Sequence, residues 1–376
     1  MTLRFLTAGE SHGIAEVTIL EGIPAGLSVS HEDINKELRK RMHDFGRGGR
    51  AKIEKDEVKI LSGVRMGKTI GSPIALLIEN IDRAKWEEKV TRPRPGHADL
   101  SGVVKYGFDD VRSVLERASA RETVMRVAVG AVCKKLLSEF GIEVASHTLQ
   151  IGKAKAPQRI YTFDEIKKIY EEDPDVHCVD KIAREQMKQE ILNARTSKDT
   201  LGGVVEIIAQ NVPVGLGSHV HFDRKLDGRI AQTLMSIPSV KAVEIGNAID
   251  ASTKTGKEVQ DRIYVKDDTF YRTTNNMGGI EGGMTNGEDI VCRVYHKPLS
   301  TLYDPLETID IITKKATTAT IERSDVSVVA RGGVVSESML AFVLAQAILE
   351  KFGGDSITET KRNFVSYKNS LQIQHK

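Results

Sequence analysis

Several short stretches of the sequence gather side chains that can do chemistry. Gly9-Glu10-Ser11-His12-Gly13 has the GxSxG spacing of a hydrolase elbow, which would make Ser11 a nucleophile. An elbow turns a strand into a helix, however, and here a strand pattern follows, so the context argues against that role. Val64-Arg-Met-Gly67-Lys68-Thr69 resembles a phosphate loop, but Ser62 stands where the cradling turn needs a glycine, so a hairpin turn is the better reading. Phe45-Gly46-Arg47-Gly48-Gly49-Arg50, just after Arg41, combines glycines that let backbone amides approach an anion with forked, permanently charged donors. A solvated loop or an RNA-binding RGG segment has the same composition. RGG segments come as repeats with disorder-prone flanks, whereas this is one copy after an amphipathic helix, which favours a small anion. Arg92-Pro-Arg94-Pro-Gly-His97-Ala-Asp99 presents cations and an imidazole on a backbone stiffened by proline; His97 is either a proton-transfer group or a structural histidine.

Arg117-Ala118-Ser119-Ala-Arg121-Glu122 immediately precedes a long apolar helix, where a helix start favours anions; an ordinary cap by Ser119 or Thr123 would look the same. Asn275 to Gly287 concentrates glycine in a way that suits either contact with a flat or phosphorylated ligand or simple hairpin bends. His219-Val-His221 would put two imidazoles on one strand face, but no third ligand is near in sequence, and no metal is expected.

These stretches must be positioned by regular elements. Gly13 to Leu20 alternates apolar and polar residues like a half-buried strand and breaks at Pro24-Ala25-Gly26. Ser30 and Asp33 then open a helix in capping-box spacing, with Ile34, Leu38 and Met42 on one stripe and Arg39 to Arg41 at its C-terminal end. Gly203-Val-Val-Glu206-Ile-Ile, followed by Pro213-Val-Gly215-Leu216, echoes Gly13-Ile-Ala-Glu16-Val-Thr, followed by Pro24-Ala-Gly26-Leu27. Glu122 and Glu337 each open a long apolar helix, ending near Gly141 and at Gly353. An internal duplication follows, with halves at about 1–150 and 200–353 whose helices pack together between outer sheets. Short turns at Gly63–Gly67 and Asn286-Gly287 favour antiparallel pairing, hence an α+β fold. Residues 157–200 read as a charged helical appendage, with Thr162 capping to Glu165 and Ile182 and Ile191 on its apolar side. The polar tail after Gly354 is expected to fray.

Composition narrows the class. The 376 residues can bury a substantial core, and a net charge of +2 creates no global field for a polyanion such as nucleic acid. Aromatic content of 5% offers few stacking platforms for single strands. Cys133, Cys178 and Cys292 are scattered and odd in number, which fits a reducing cytoplasm better than a disulfide framework. The stretch MTLRFLTAGESHG has no long apolar h-region and no small-residue cleavage site, and no apolar run is expected to approach membrane-spanning length, so neither export nor a membrane is expected.

Taken in order, GESHG, RGGR, RPGHAD, ERASARET, NNMGGIEGGMTNGE, HKPLST and ERSDVSVVARGGVVSES resemble the motifs of the chorismate synthase family, over nearly the whole chain to about Gly353. The resemblance implies one domain over 1–376, a helical core between antiparallel sheets in an internally duplicated β-α-β sandwich, and a homotetramer. It implies loss of phosphate and a ring proton from 5-enolpyruvylshikimate 3-phosphate to give chorismate, with reduced FMN lending an electron and recovering it. His12 would then sit near the departing phosphate, His97 near the flavin, and Asp325 where the ring proton leaves. Arg41, Arg47, Arg50, Arg94, Ser119, Arg121 and Arg323 would hold the substrate. FMN would be held by Arg117, Ala118, Ser119, Asn247, Ala248, Gly282, Lys297, Pro298, Leu299, Ser300, Thr301 and Arg323. Ala118 stands where the family commonly has a serine, so a hydroxyl contact is missing there. Some members reduce their flavin with NADPH, tied to Arg41 and Arg47; with no added reductase domain, an external source of reduced flavin is expected.

Overall fold

The structure is a computed structural model that describes residues 2–47, 55–83, 85–266, 269–322 and 325–373. Its first half runs β1 (Arg4–Gly9), β2 (Ala15–Glu21), α1 (His31–Met42), β3 (Lys59–Ile60), a small hairpin β4 (Val64–Arg65) and β5 (Lys68–Thr69), then β6 (Ile74–Glu79). A connection containing α2 (Asp99–Tyr106) and α3 (Arg112–Ala118) leads to the core helix α4 (Thr123–Ser138). After α4 come β7 (Glu143–Ile151), β8 (Ala154–Lys155), α5 (Phe163–Lys167), α6 (Ile169–Glu172), α7 (Lys181–Thr196) and β9 (Gly203–Gln210). Next are α8 (Leu226–Met235), β10 (Val240–Ile245), α9 (Ala248–Ala251), α10 (Gly256–Val259) and the hairpin β11 (Ile263–Lys266) and β12 (Thr269–Arg272). A second small hairpin, β13 (Ile280–Glu281) and β14 (Met284–Thr285), precedes β15 (Ile290–His296). The chain closes with β16 (Glu307–Ile309), β17 (Ala316–Thr318), the core helix α11 (Val329–Phe352) and α12 (Ile357–Ile373).

The first sheet has the order β1-β2-β6-β3 and the second β10-β15-β9-β7-β8, and all the paired strands are antiparallel. Setting β1, β2 and β6 against β7, β9 and β15 superposes the two orders. The corners match as well. In the first half Thr69 Oγ1 donates to Pro24 O at 2.6 Å and accepts from Leu27 N at 3.0 Å. In the second, Thr285 Oγ1 donates to Pro213 O at 2.6 Å and accepts from Leu216 N at 2.8 Å. One hydroxyl thus satisfies two buried backbone groups at each Pro-x-Gly-Leu corner.

Between the sheets α4 and α11 pack together, α4 against β2 and β6 and α11 against β7 and β9. They touch at Gly130, where a Cβ would fall 2.2 Å from Ser338 Cβ, so the crossing needs glycine. Thr69, Gly63 and the β3/β6 pairing place the Val64–Thr69 stretch in a hairpin, as expected. The Ser30/Asp33 and Thr162/Glu165 capping boxes are both present.

Other expectations change. α11 begins at Val329, not near Glu337, and its 24 residues are long and apolar enough for a membrane span, yet the apolar window is 94% buried inside the protein. A helix covered on every side has no polar stripe to mark where it begins. Ile182 is 74% exposed, since α7 turns Ala183, Met187, Ile191 and Ala194 inward. Asn286-Gly287 joins β14 to a strand of a different sheet and is no hairpin turn. As far as Ile373 the tail does not fray: α12 packs Phe364 and Tyr367 against Phe352. His219 and His221 lie in a bend before a 3-10 turn, so they share no strand face.

Candidate active site

The connection from β6 to α4 and the matching connection from β15 to α11 meet at the starts of the two core helices. There they enclose a cleft of about 350 Å³, within the range of small-molecule sites. Ser11, His12, Arg94, His97, Ala118 and Ser119 come from the first half; His296 to Thr301, Asp325 and Arg331 come from the second.

His12 is delivered by the tight turn between β1 and β2. Its Nδ1 lies 2.9 Å from Glu116 Oε1, and its backbone N donates to Glu116 Oε2 at 2.7 Å. The carboxylate makes Nδ1 the protonated nitrogen and leaves Nε2 as the one not turned to Glu116. Burial pushes the Glu116 carboxyl up, but the bonds from His12 and Arg112 outweigh it and hold it below the ordinary value. Arg112 bonds Glu116 at 3.0 Å and Glu322 at 3.2 Å, and Glu322 pairs with Lys85 at 2.7 Å, so an ion chain runs from behind His12 back to the cleft wall.

His97 is fixed the same way. Its Nδ1 bonds Asp99 Oδ1, and Arg94 grips the same carboxylate through Nε at 2.8 Å and Nη2 at 3.1 Å. Because Asp99 accepts the Nδ1 proton, the 3.0 Å approach of Arg94 Nη2 to Nδ1 is proximity, with no lone pair to receive it. Burial raises the Asp99 carboxyl, yet the bonds from His97 and Arg94 leave it well below the usual range. Arg94 Nη1 also donates to Thr301 Oγ1 at 2.9 Å, tying the two halves together across the cleft.

In the Lys297–Thr301 loop, Lys297 Nζ donates to Gly96 O and Ser300 Oγ, both at 2.9 Å. Asp325 pairs with Arg331 Nη2 at 2.7 Å. Ser119 Oγ donates to Ser11 Oγ at 3.1 Å and caps the 3-10 turn leading into α4. That turn follows a helix, and β2 follows Ser11, so no strand-turn-helix elbow forms around the serine.

Arg41 and Arg121 lie just behind the wall, both against Asp56, with Arg41 also donating to Thr123 Oγ1 and Ala120 O. Burial pushes Arg41 down to about 10, although Asp56 pulls it back up, so it stays a cation at neutral pH. Arg41, Arg94 and Arg121 are 6%, 9% and 8% exposed, which removes them from any nucleic-acid surface. Arg47 stands near Arg331, Asp325 and Asp56, and its Nε is buried with no partner among the described residues. Arg117 is tied to Thr7 O and Gly9 O, beside the cleft. Arg50 and Arg323 lie outside the described residues.

Asn247, Ala248 and Gly282 are elsewhere. Val240 of β10 pairs with His296 at the cleft, and Asn247 lies beyond the far end of that strand, about 20 Å away at ~3.3 Å per residue. Gly282 is the exposed bend between β13 and β14. One chain does not bring these three to the cleft that holds the others.

Sequence reasoning missed Glu116, Asp99, Lys85, Glu322, Arg331 and His296. Asp99 was legible, two residues from His97; the rest required the fold. His296 Nδ1 bonds Ser239 Oγ at 2.9 Å while its Nε2 is buried with no partner among the described residues. Burial pushes this imidazole down to about 4, so it is neutral. Leu115, Ile237, Pro238, Leu299, Val328 and Val335 give the cleft an apolar lining, the kind of surface on which a small-molecule site buries its ligand. Among the described residues His296 Nε2 and Arg47 Nε have no hydrogen-bond partner, which leaves them available to polar atoms of a ligand.

Comparison with known proteins agrees. A family model described as chorismate synthase matches residues 3–349. The chain is 52% identical to chorismate synthase of Geobacter sulfurreducens, covering 97% of this chain and 98% of that one. It is 50% identical to chorismate synthase of Solibacter usitatus, covering 98% and 99%. A crystal structure of chorismate synthase superposes with a TM-score of 0.82 at 43% identity, covering 99% of both chains.

Proposed function

The chain belongs to the chorismate synthase family, and from that premise we propose that its cleft binds 5-enolpyruvylshikimate 3-phosphate and FMN side by side. The family reaction is the last step of the shikimate pathway, a lyase reaction in which phosphate and a ring proton leave to give chorismate. A reduced flavin is required, and it supplies electron density for carbon-oxygen cleavage without net redox change.

The observation that carries the residue assignment is the pair of carboxylate-fixed imidazoles, His12 on Glu116 and His97 on Asp99, on the wall of one cleft. With Nδ1 donating to Glu116, the doubly protonated form of His12 presents a second N–H at Nε2 to the departing phosphate oxygen. His97 holds the proton on the flavin side, and Asp325 takes the ring-proton side. A substrate with one phosphate and two carboxylates needs several cations aimed before it arrives, which Arg94, Arg331, Lys85 and Lys297 supply on the wall and Arg47, Arg41 and Arg121 support from its edge. The Lys297–Thr301 loop with Ala118 and Ser119 holds the flavin, closing over the apolar wall.

The assembly is a cytoplasmic homotetramer in which Asn247, Ala248 and Gly282 reach the flavin site of a second copy. The chain is one domain with two pseudo-repeat halves, a reading supported by the matched Thr69 and Thr285 corners. Reduced flavin comes from outside, because Arg41, one of the two positions linked to NADPH, is buried and bonded to Asp56 and Thr123. The test is anaerobic turnover of 5-enolpyruvylshikimate 3-phosphate with and without chemically reduced FMN, following chorismate absorbance and phosphate together. Both products should appear only with reduced flavin; neither appearing from folded, assembled protein would overturn the assignment.

A further inference from the structure

Residues 157–200 carry α5, α6 and α7 and stand apart from the cleft, yet they and the residue after them contact three of the stretches that shape it. The first contact is at Phe45. Its N donates to Asp175 O at 2.8 Å, and its carbonyl accepts from Arg195 Nη2 at 3.1 Å. Its ring has the Arg195 guanidinium 5.9 Å and the Lys188 ammonium 6.0 Å from its centroid, within cation-π reach. Lys188 is itself held to Asp175 at 2.8 Å. Phe45 is thus held by a backbone bond at its N–H, by the Arg195 side chain at its carbonyl and by two cations at its ring.

The second contact is passed on through the backbone. Gly46 O accepts from Val326 N at 2.8 Å, and Val326 O accepts from Leu201 N, directly after the segment, at 2.8 Å. A Cβ on Gly46 would fall 2.7 Å from Ser327 O, so the two strips lie too close to slide. The third contact is Thr200 Oγ1, which donates to Leu299 O at 2.8 Å in the Lys297–Thr301 loop. Asp44 completes the brace: it accepts from Gly46 N at 2.8 Å and faces Arg331 Nε at 3.3 Å, the same arginine that holds Asp325.

We propose that residues 157–200 are a positioning element of the active site, holding Phe45 and Val326 in register so that Arg47, Asp325 and Arg331 form one preorganised wall toward the anionic substrate. Arg195 and Lys188 are positioning residues, acting through Phe45. The segment's charge serves this grip on its inner side. Arg159, paired with Glu165 and stacked on Tyr161, belongs to its outer side and has no part in it. This inference rests on the functional reading above for its substrate, but its mechanical part can be measured without turnover.

The experiment compares R195A/K188A, R195K and R159A in the full-length protein. Amide hydrogen exchange is followed at Phe45 and Val326, whose bonds to Asp175 and Gly46 report the brace. KM for 5-enolpyruvylshikimate 3-phosphate and affinity for reduced FMN are measured alongside. In R195A/K188A exchange at both amides should quicken roughly ten-fold and KM rise about ten-fold, with flavin affinity and melting temperature nearly unchanged. R195K, which keeps the cation, should recover part of the KM, and R159A should match the wild type. Unchanged exchange, equal acceleration in R159A, or faster exchange without a change in KM would overturn the proposal. A wild type without turnover would instead sink the functional reading, and the exchange comparison would still decide the positioning.

Discussion

Glu16 and Glu206 occupy matching places on β2 and β9, both buried, yet their carboxyls are driven in opposite directions. For Glu16, burial pushes the carboxyl up to about 7, and Arg121 and Arg117 pull it back only in part; the Arg117 guanidinium stands 3.9 Å away. Glu206 feels the same burial, but His147 at 3.2 Å and Arg293 at 2.8 Å outweigh it and hold it below the ordinary value. Direct contact, not location in the scaffold, decides the sign. The neighbouring connections differ in the same spirit. Between β1 and β2 a tight turn delivers His12 to the cleft, whereas between β7 and β9 the same slot holds the helical segment 157–200. A repeated scaffold lets one copy carry chemistry while the other braces it.

The sharpest way to break this contrast is at the turn that carries chemistry. His12→Ala should lower turnover by about 10²–10⁴-fold while the melting temperature hardly moves; a loss below ten-fold would remove His12 from the proton path. At the paired glutamate, Glu206→Ala leaves Arg293 and His147 facing a void and should cost about 3 kcal/mol in urea unfolding at pH 7. Because its folded carboxyl lies below the unfolded one, the stabilisation from Glu206 is present above the ordinary value of 4.5 and fades as pH falls through the folded value.

Glu16 should behave in reverse. With a folded carboxyl near 7 against 4.5 when unfolded, it costs nothing in acid, and stability falls as pH rises between those values, by at most about 3 kcal/mol. Glu16→Gln should flatten that decline and leave the protein more stable than wild type at pH 8. A variant less stable at pH 8 would show that the ionised carboxylate is needed. The smallest effect tests the sameness of the scaffold: Thr69→Val and Thr285→Val should each cost about 1–2 kcal/mol and agree within ~0.5 kcal/mol. Unequal costs would mean that only the drawing of the two corners is alike.

Short-range rules made much of the scaffold legible. The capping boxes at Ser30 and Thr162 and the hairpin around Met66 depend on neighbours within a few residues. So does the apolar run from Thr123, closed by Gly141 at φ +75. The anion-seeking loops around Arg47, Arg94 and Ser119 were visible in composition, and the structure places Arg94, His97, Ala118 and Ser119 on one wall. The start of α11 was not visible, because its first turns are as buried as its last. Within it Glu337 is fully buried against Lys134, a charge that reads as a helix boundary in sequence and serves as an internal ion pair in the fold.

By itself the sequence determined the locally coded elements, such as β2, α1, the Val64–Thr69 hairpin and the apolar run of α4, and which residues can carry charge to an anion, since these follow from backbone sterics and side-chain chemistry acting locally. Only the tertiary structure decided that Glu116 meets His12 across 104 positions and Lys85 meets Glu322 across 237. It also turned Arg41 and Arg121 onto Asp56 and placed Asn247 a strand's length from the cleft. Such pairings are selected by the packing of two sheets on a shared helical core, and no local pattern encodes which distant partner a buried charge will find.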